Sequence, residues 1–175
     1  MAQNATLDGT SDAGSWTGSG GGSIHQYADG TSAGSDYIEA TTYGSAIGPA
    51  IFTLSNVTDP ESAADHKIIY TALATAGGFM GTPGLTIALF ESTTQRHSTT
   101  NNSVSTSSPT EYTINLSSGE ANSITNYDNL ILRVTNAGAE MGDNIKVFNM
   151  YFQCGDASEE EEADTTSPAF LLFVN

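Results

Sequence analysis

Positive charge is almost missing from this chain: 4 Lys+Arg stand against 20 Asp+Glu, a formal charge of -16 over 175 residues. Counterion release from phosphates supplies most nucleic-acid affinity and has almost nothing to act on here, so nucleic acid is excluded as a partner. An anionic membrane surface needs clustered Lys or Arg and is excluded on the same ground. Cysteine is nearly absent too. Cys154 is alone, so no intrachain disulfide can form and the fold has to stand on its core. No run approaches the roughly 18 apolar residues of a membrane span. The opening MAQNATLDGTSDAG has neither the basic region nor the apolar stretch of a secretory signal. The sequence therefore predicts synthesis in a host cytoplasm without a signal peptide.

What is present is a series of short apolar or alternating runs: Ile24–Ala28, Asp36–Ala40, Ile51–Leu54, Lys67–Ala74, Leu85–Glu91, Glu111–Leu116, Leu130–Thr135 and Ile145–Gln153. Between them stand Asp29-Gly30, Gly48-Pro49, Asp59-Pro60, Gly77-Gly78, Pro83-Gly84 and Gly142-Asp143, residues that favour turns for backbone reasons. About eight or nine strands at this spacing, with scarcely any helix, predict an all-β fold, an antiparallel β-sandwich or jelly roll. A chain of this length buries roughly 70% of its unfolded surface around one core.

The ends differ from this body. Residues 1–22 are small and polar and finish in GSWTGSGGGS, which predicts a flexible N-terminal arm, with the sandwich over 23–154. Trp16 interrupts the arm, either as an anchor for a neighbouring surface or as a ring packed on its own domain. Residues 155–167 hold four consecutive carboxylates, Glu159–Glu162, and predict a solvated acidic loop. Over 168–175 the apolar Phe170, Leu171, Leu172, Phe173 and Val174 are an aggregation hazard if exposed, so they are expected to pair as a strand, on their own sheet or on a neighbouring subunit.

Catalytic and metal motifs mostly fail. Gly30, Ser32 and Gly34 match Gly-x-Ser-x-Gly, but a strand rather than a helix is expected next, so a turn is the better reading. The glycine run at 18–22 lacks the last glycine of a dinucleotide loop, because Ser23 occupies that place. His25, His66 and His97 form no helical pair, and zinc has no ligand set. Cys154 has no cationic neighbour in sequence and reads as a small buried apolar group. Calcium is the one ion with some basis, since Asp8, Asp12, Asp29, Asp36 and Asp59 lie in Gly/Ser-rich loops; solvated turns explain them as well, and no cofactor is expected.

The stretch Leu116–Val134, LSSGEANSITNYDNLILRV, is the most specific signal. Ser117 and Glu120 stand three apart as a capping box, predicting one short helix near 117–125 of about two turns. Asn126–Asn129 end it, and Leu130, Leu132 and Val134 then alternate with Ile131, Arg133 and Thr135 as a strand with one core face. This strand, capped turn and strand resembles a pattern in β-sandwich structural proteins of tailed bacteriophages. The likeness extends to Phe52–Pro60, His66–Ala74, Leu85–Glu91 and Lys146–Gln153. The pattern carries a Trp in its last strand, where this chain has Phe148, Tyr151 and Phe152.

The resemblance implies a non-enzymatic virion structural protein, most specifically a capsid decoration (cement) protein on the outer surface of a phage head. Its partners would be the major capsid protein and copies of itself, in a possible homotrimer, clasped through Trp16 and Phe170–Val174. The second reading is a carbohydrate-binding jelly roll of a phage fibre or host-recognition protein, with Trp16, Tyr27, Tyr37 and Tyr43 as sugar-stacking candidates and a surface glycan as partner. A hydrolase on the same fold is third, since twenty acidic residues offer many carboxylate pairs and no means of choosing among them.

Overall fold

Strand pairing accounts for nearly all regular structure in the computed structural model, which describes residues 1–29, 36–43, 47–76, 83–137 and 141–156, with only the backbone of Tyr43. In chain order come β1 (Gln3–Asp12), β2 (Thr17–Gly18), a 3-10 turn (Ile24–Tyr27), β3 (Ile38–Tyr43), β4 (Ala50–Leu54), β5 (Lys67–Thr75), β6 (Leu85–Glu91), β7 (Thr94–Asn101) and β8 (Thr110–Asn115). After these follow the single-turn helix α1 (Ser118–Ala121), a second 3-10 turn (Tyr127–Asn129), β9 (Leu130–Asn136) and β10 (Met141–Cys154). Every pairing is antiparallel.

The strands form two sheets. The first holds β2, β3, β10, β5 and β8, and the second holds β4, β9, β6 and β7. Strand β1 belongs to both: Gln3–Thr6 pairs with the end of β10, and Leu7–Asp12 pairs with β4. Alternation does the rest. In β9, Leu130, Leu132 and Val134 are buried while Ile131, Arg133 and Thr135 face outward, as their period of two predicts. One continuous core results, with Phe52, Leu89 and Leu132 from the second sheet meeting Ile68, Tyr70, Met150 and Phe152 from the first. The antiparallel β-sandwich expected from the strand spacing is the fold observed.

Three expectations need correction. Residues 1–22 are not a free arm, because β1 gives its backbone groups partners on both sheets and drops Ala5 and Leu7 into the core. Trp16 is 3% exposed and belongs to the same core cluster. The glycines that read as flexibility are close approaches: a Cβ on Gly18 would lie 2.4 Å from the Tyr27 ring, and one on Gly20 would lie 2.9 Å from its hydroxyl. Next, the expected strand Ile24–Ala28 is a 3-10 turn over Ile24–Tyr27, with Ile24 and the following Ala28 buried in the core. Finally β7 was invisible to an apolar pattern. Its sequence TQRHSTTN contains no aliphatic residue, and it pairs only with β6, at an edge of the sheet.

The capping box forms as predicted, on a helix of four residues rather than two turns. The Glu120 N–H donates to Ser117 Oγ at 3.3 Å, and the Ser117 N–H donates to Glu120 Oε2 at 2.8 Å. His97 Nδ1 donates to Glu120 Oε1 at 2.7 Å, tying the helix to β7. Donation from the Ser117 hydroxyl and N–H, and then from His97, lowers the Glu120 pKa from 4.5 to about 2.

Two outcomes follow. Trp16→Ala should cost about 3–5 kcal/mol in urea unfolding, as for other large core truncations, whereas an aromatic on a free arm would cost nothing measurable. A carboxylate whose folded pKa is depressed stabilises the fold above its unfolded value, and that contribution fades as pH falls toward the folded one. Glu120→Ala should therefore lower the urea midpoint at neutral pH, with the gap to wild type closing as pH falls from 4.5 to about 2.

Candidate functional site

The register places a mixed aromatic and polar surface on the outer face of the first sheet. Because Ile145, Val147, Met150 and Phe152 of β10 point into the core, Lys146, Tyr151 and Gln153 point out. On β5 the outward residues are Lys67, Ile69, Thr71 and Leu73, and on β8 they are Glu111, Thr113 and Asn115. Cross-strand pairing then sets rows across the sheet. Thr113, Ile69, Tyr151 and Thr6 form one, and Asn115, Lys67, Gln153 and Asn4 form the next.

A bulge gives this face its aromatic centre. The β10–β5 register shifts between Val147 and Asn149, so Phe148 is left unpaired in the ladder. Phe148 meets Tyr37, which precedes β3, with ring centroids 5.6 Å apart at an interplanar angle of 59°. Lys146 Nζ lies 4.0 Å from the centroid of the Tyr37 ring. The same ammonium is 3.9 Å from Glu39 Oε2, and Asn144 Nδ2 donates to Glu39 at 3.3 Å and to Thr41 Oγ1 at 2.8 Å. Tyr37 is thus held between a ring and a cation, and all of these side chains remain partly exposed. Burial first, and then the charge of Glu111, raises the Tyr151 pKa, so its hydroxyl stays a hydrogen-bond donor in the next row. Flat aromatic surface flanked by amides, hydroxyls and one ion pair can hold a polyol.

A second concavity lies at one end of the sandwich. It encloses about 490 Å³ and is lined by Gln3, Asn56, Thr58, Asp59, Asn126 and Tyr127, among others. Beneath it His66 Nδ1 donates to the Ala64 carbonyl at 2.9 Å, and its Nε2 shares a hydrogen bond with the Tyr127 hydroxyl at 2.6 Å. Burial, reinforced by the charge of Asp59, raises the Tyr127 pKa, so the phenol stays protonated. The same burial, with Asp59 again adding to it, pushes the Cys154 thiol up to about 11.

The structure separates the sequence candidates. Trp16 is in the core, so it is neither an exposed anchor nor a stacking ring. Tyr27 is half-buried against Gly18 and Gly20. Tyr37 alone of the stacking candidates sits on the aromatic face, and the Tyr43 side chain, like Phe170–Val174, Glu159–Glu162 and the Gly30–Gly34 motif, falls outside the described residues. Among the calcium candidates, Asp8 accepts from Thr53 at 2.6 Å, Asp12 from the Gly14 N–H at 2.8 Å and Asp59 from the Glu61 N–H at 2.8 Å. Among the described residues no three His, Cys, Asp or Glu converge as a metal site. Phe148, Lys146 and Tyr151 were missed as site residues. Their signal was the slip in alternation at Phe148-Asn149, which is legible in Ile145–Gln153 once the core phase is known.

A thiol held this high is mostly protonated near neutral pH and reacts slowly. Cys154 should therefore resist an aromatic disulfide reagent in the native protein and react fully once urea unfolds it; rapid native labelling would contradict its placement in the core.

No family model matches this chain, and no curated protein does. Solved structures resemble it at the level of a β-sandwich. TmCBM61, solved in complex with beta-1,4-galactotriose, is 8% identical over 81% of this chain and 89% of its own, with a TM-score of 0.45. SGBP-B from a complex xyloglucan utilization locus in Bacteroides uniformis is 14% identical, TM-score 0.43, over 87% of this chain and 46% of its own. The CBM22-1-GH10 modules of the Clostridium thermocellum endo-1,4-beta-D-xylanase 10B, complexed with xylohexaose, are 11% identical, TM-score 0.40, over 89% of this chain and 28% of their own.

Proposed function

We propose that this chain is a non-catalytic carbohydrate-binding module that holds a glycan across the outer face of its first sheet. The observation that carries the reading is the Tyr37–Phe148 pair, partly exposed and fixed in orientation by Lys146, with the Tyr151 hydroxyl in an adjoining row. Ring faces supply apolar contact to the C–H faces of sugars, while Asn149, Thr71 and Gln153 offer donors and acceptors for hydroxyls. Rings held before the ligand arrives lose little freedom on binding, which favours even a modest contact area.

The setting we propose is a tailed phage, through the resemblance of Leu116–Val134, and within it a fibre or other host-recognition part. The capsid-decoration reading relies on two contact segments, of which Trp16 is in the core and Phe170–Val174 lies outside the described residues.

Affinity electrophoresis against soluble polysaccharides and a glycan array test the proposal. Tyr37→Ala and Phe148→Ala should each weaken binding about thirtyfold, the usual consequence of losing a contact worth on the order of 2 kcal/mol, with unfolding midpoints nearly unchanged. Retention of full affinity in the double variant would move the site elsewhere. Absence of any glycan binding, together with co-sedimentation on empty phage heads, would replace this reading with the decoration role.

A further inference from the structure

The charges on this face bear on which glycan it takes. Both lysines of the chain, Lys67 and Lys146, lie on the outer face of the first sheet, in a protein whose formal charge is -16. Against them stand Glu39 and Glu111, and Asp29, which pairs with the outward-facing Asn149. Among the described residues of these strands, two ammonium groups against three carboxylates leave the face close to neutral, while the molecule as a whole repels polyanions.

The cation nearest the rings is also engaged. Lys146 Nζ is 3.9 Å from Glu39 and 4.0 Å from the Tyr37 centroid, so its charge is shared between a carboxylate and a ring. Glu39 is itself held, by Asn144 Nδ2 at 3.3 Å. Lys67 pairs opposite Gln153 and Asn115, four to five residues along β5 from the Thr71 and Ala72 that flank the Phe148 bulge, which is about 15 Å from that ring at strand rise. A carboxylated or sulfated sugar stacked on Tyr37 and Phe148 would meet a compensated lysine and the field of an acidic protein.

We propose that this face selects uncharged glycans, and that Glu39 sets the selectivity by occupying Lys146; the inference rests on the glycan-binding reading above. Glu39 is then a specificity-determining residue that need not touch the ligand. Removing its charge exposes the Lys146 ammonium to any anion lying on the rings, while the rings themselves are unchanged.

The test is retardation of wild type and Glu39→Gln in gels containing neutral glucans, galactans or xylans, or else polygalacturonate or heparin, at low and high salt. Wild type should bind a neutral polysaccharide with affinity independent of salt, since uncharged contacts are not screened. It should be retarded far less by the polyanions, and any such residual binding should strengthen as salt screens the repulsion. Glu39→Gln should keep its neutral affinity and gain about fivefold for polygalacturonate at low salt, with the gain disappearing at high salt. Wild-type preference for a polyanion, or no gain in Glu39→Gln, overturns the selectivity and leaves glycan binding standing. Binding to no polysaccharide at all removes the glycan reading itself. Lys146→Gln in the Glu39→Gln background provides the internal check: it should abolish the gain, and a gain that survives it would remove Lys146 from the account.

Discussion

Strand β10 must satisfy hydrogen bonds along both of its edges, and the architecture follows from how it does so. One edge is covered by β5 from Asn144 to Gln153, interrupted at the Phe148 bulge. The other is shared by three segments far apart in sequence: β3 against Met141–Val147, the Asp29–Asn149 bridge with the Met150 N–H donating to the Ala28 carbonyl at 2.9 Å, and β1 against Tyr151–Cys154. An unpaired buried backbone group costs about 1–3 kcal/mol, so leaving out any segment would be expensive. This explains why the chain's first strand lies beside its last described one. It also explains why β1 passes on to the second sheet, since beyond Thr6 that edge of β10 is taken by Ala28 and Asp29, and β1 turns to β4.

The same requirement shapes the surface. Val147 must face the core between Ile38 and Ala72, and Met150 must face it beside Tyr70, yet these two are three positions apart, an odd spacing that strict alternation forbids. The bulge absorbs the extra residue, and Phe148 emerges on the outer side next to Tyr37. A core-packing constraint has thus delivered the aromatic pair to solvent. Buried Asn136 acts in a comparable way, donating to the Ala40 and Asp143 carbonyls at 2.7 and 3.2 Å and joining β9 of one sheet to β3 and β10 of the other.

How much of this was legible varies with the kind of signal. The capping box of Ser117 and Glu120 and the alternation of Leu130–Thr135 are local, and both were readable in full. Strands with aliphatic residues on one face were readable to within a residue or two at most ends, but β3 runs on to Tyr43, three residues past Ala40, and β10 starts at Met141, four before Ile145. What escaped depends on contacts distant in sequence. Ala5 and Leu7 are too few to mark a strand until β10 and β4 are seen beside them, and Gly18 looks mobile until the Tyr27 ring fills its space. The aromatic face escaped for the same reason. Tyr37 and Phe148 are 111 residues apart in sequence, and only the register of β10 brings them together.

Under the proposed glycan reading, that register favours the face over the end cavity as the place for a ligand. Several of the cavity's polar groups are already occupied. The Gln3 side chain donates to the Thr58 and Gly155 carbonyls and accepts from the Thr58 N–H, Asn126 accepts from the Asp128 N–H, and Thr125 donates to Glu91. A ligand there would have to break bonds that close the sandwich end and leave a net of acidic side chains around it. Its one ring, Tyr127, is 6% exposed and committed to His66. On the outer face the rings are held from behind and the amides stand in rows, with Gln153 bonded to Asn4 and Asn144 to Glu39 and Thr41. Preorganised apolar surface beside uncommitted polar groups is what recognition of a sugar requires, and in the described structure the two coincide where the bulge of β10 puts them.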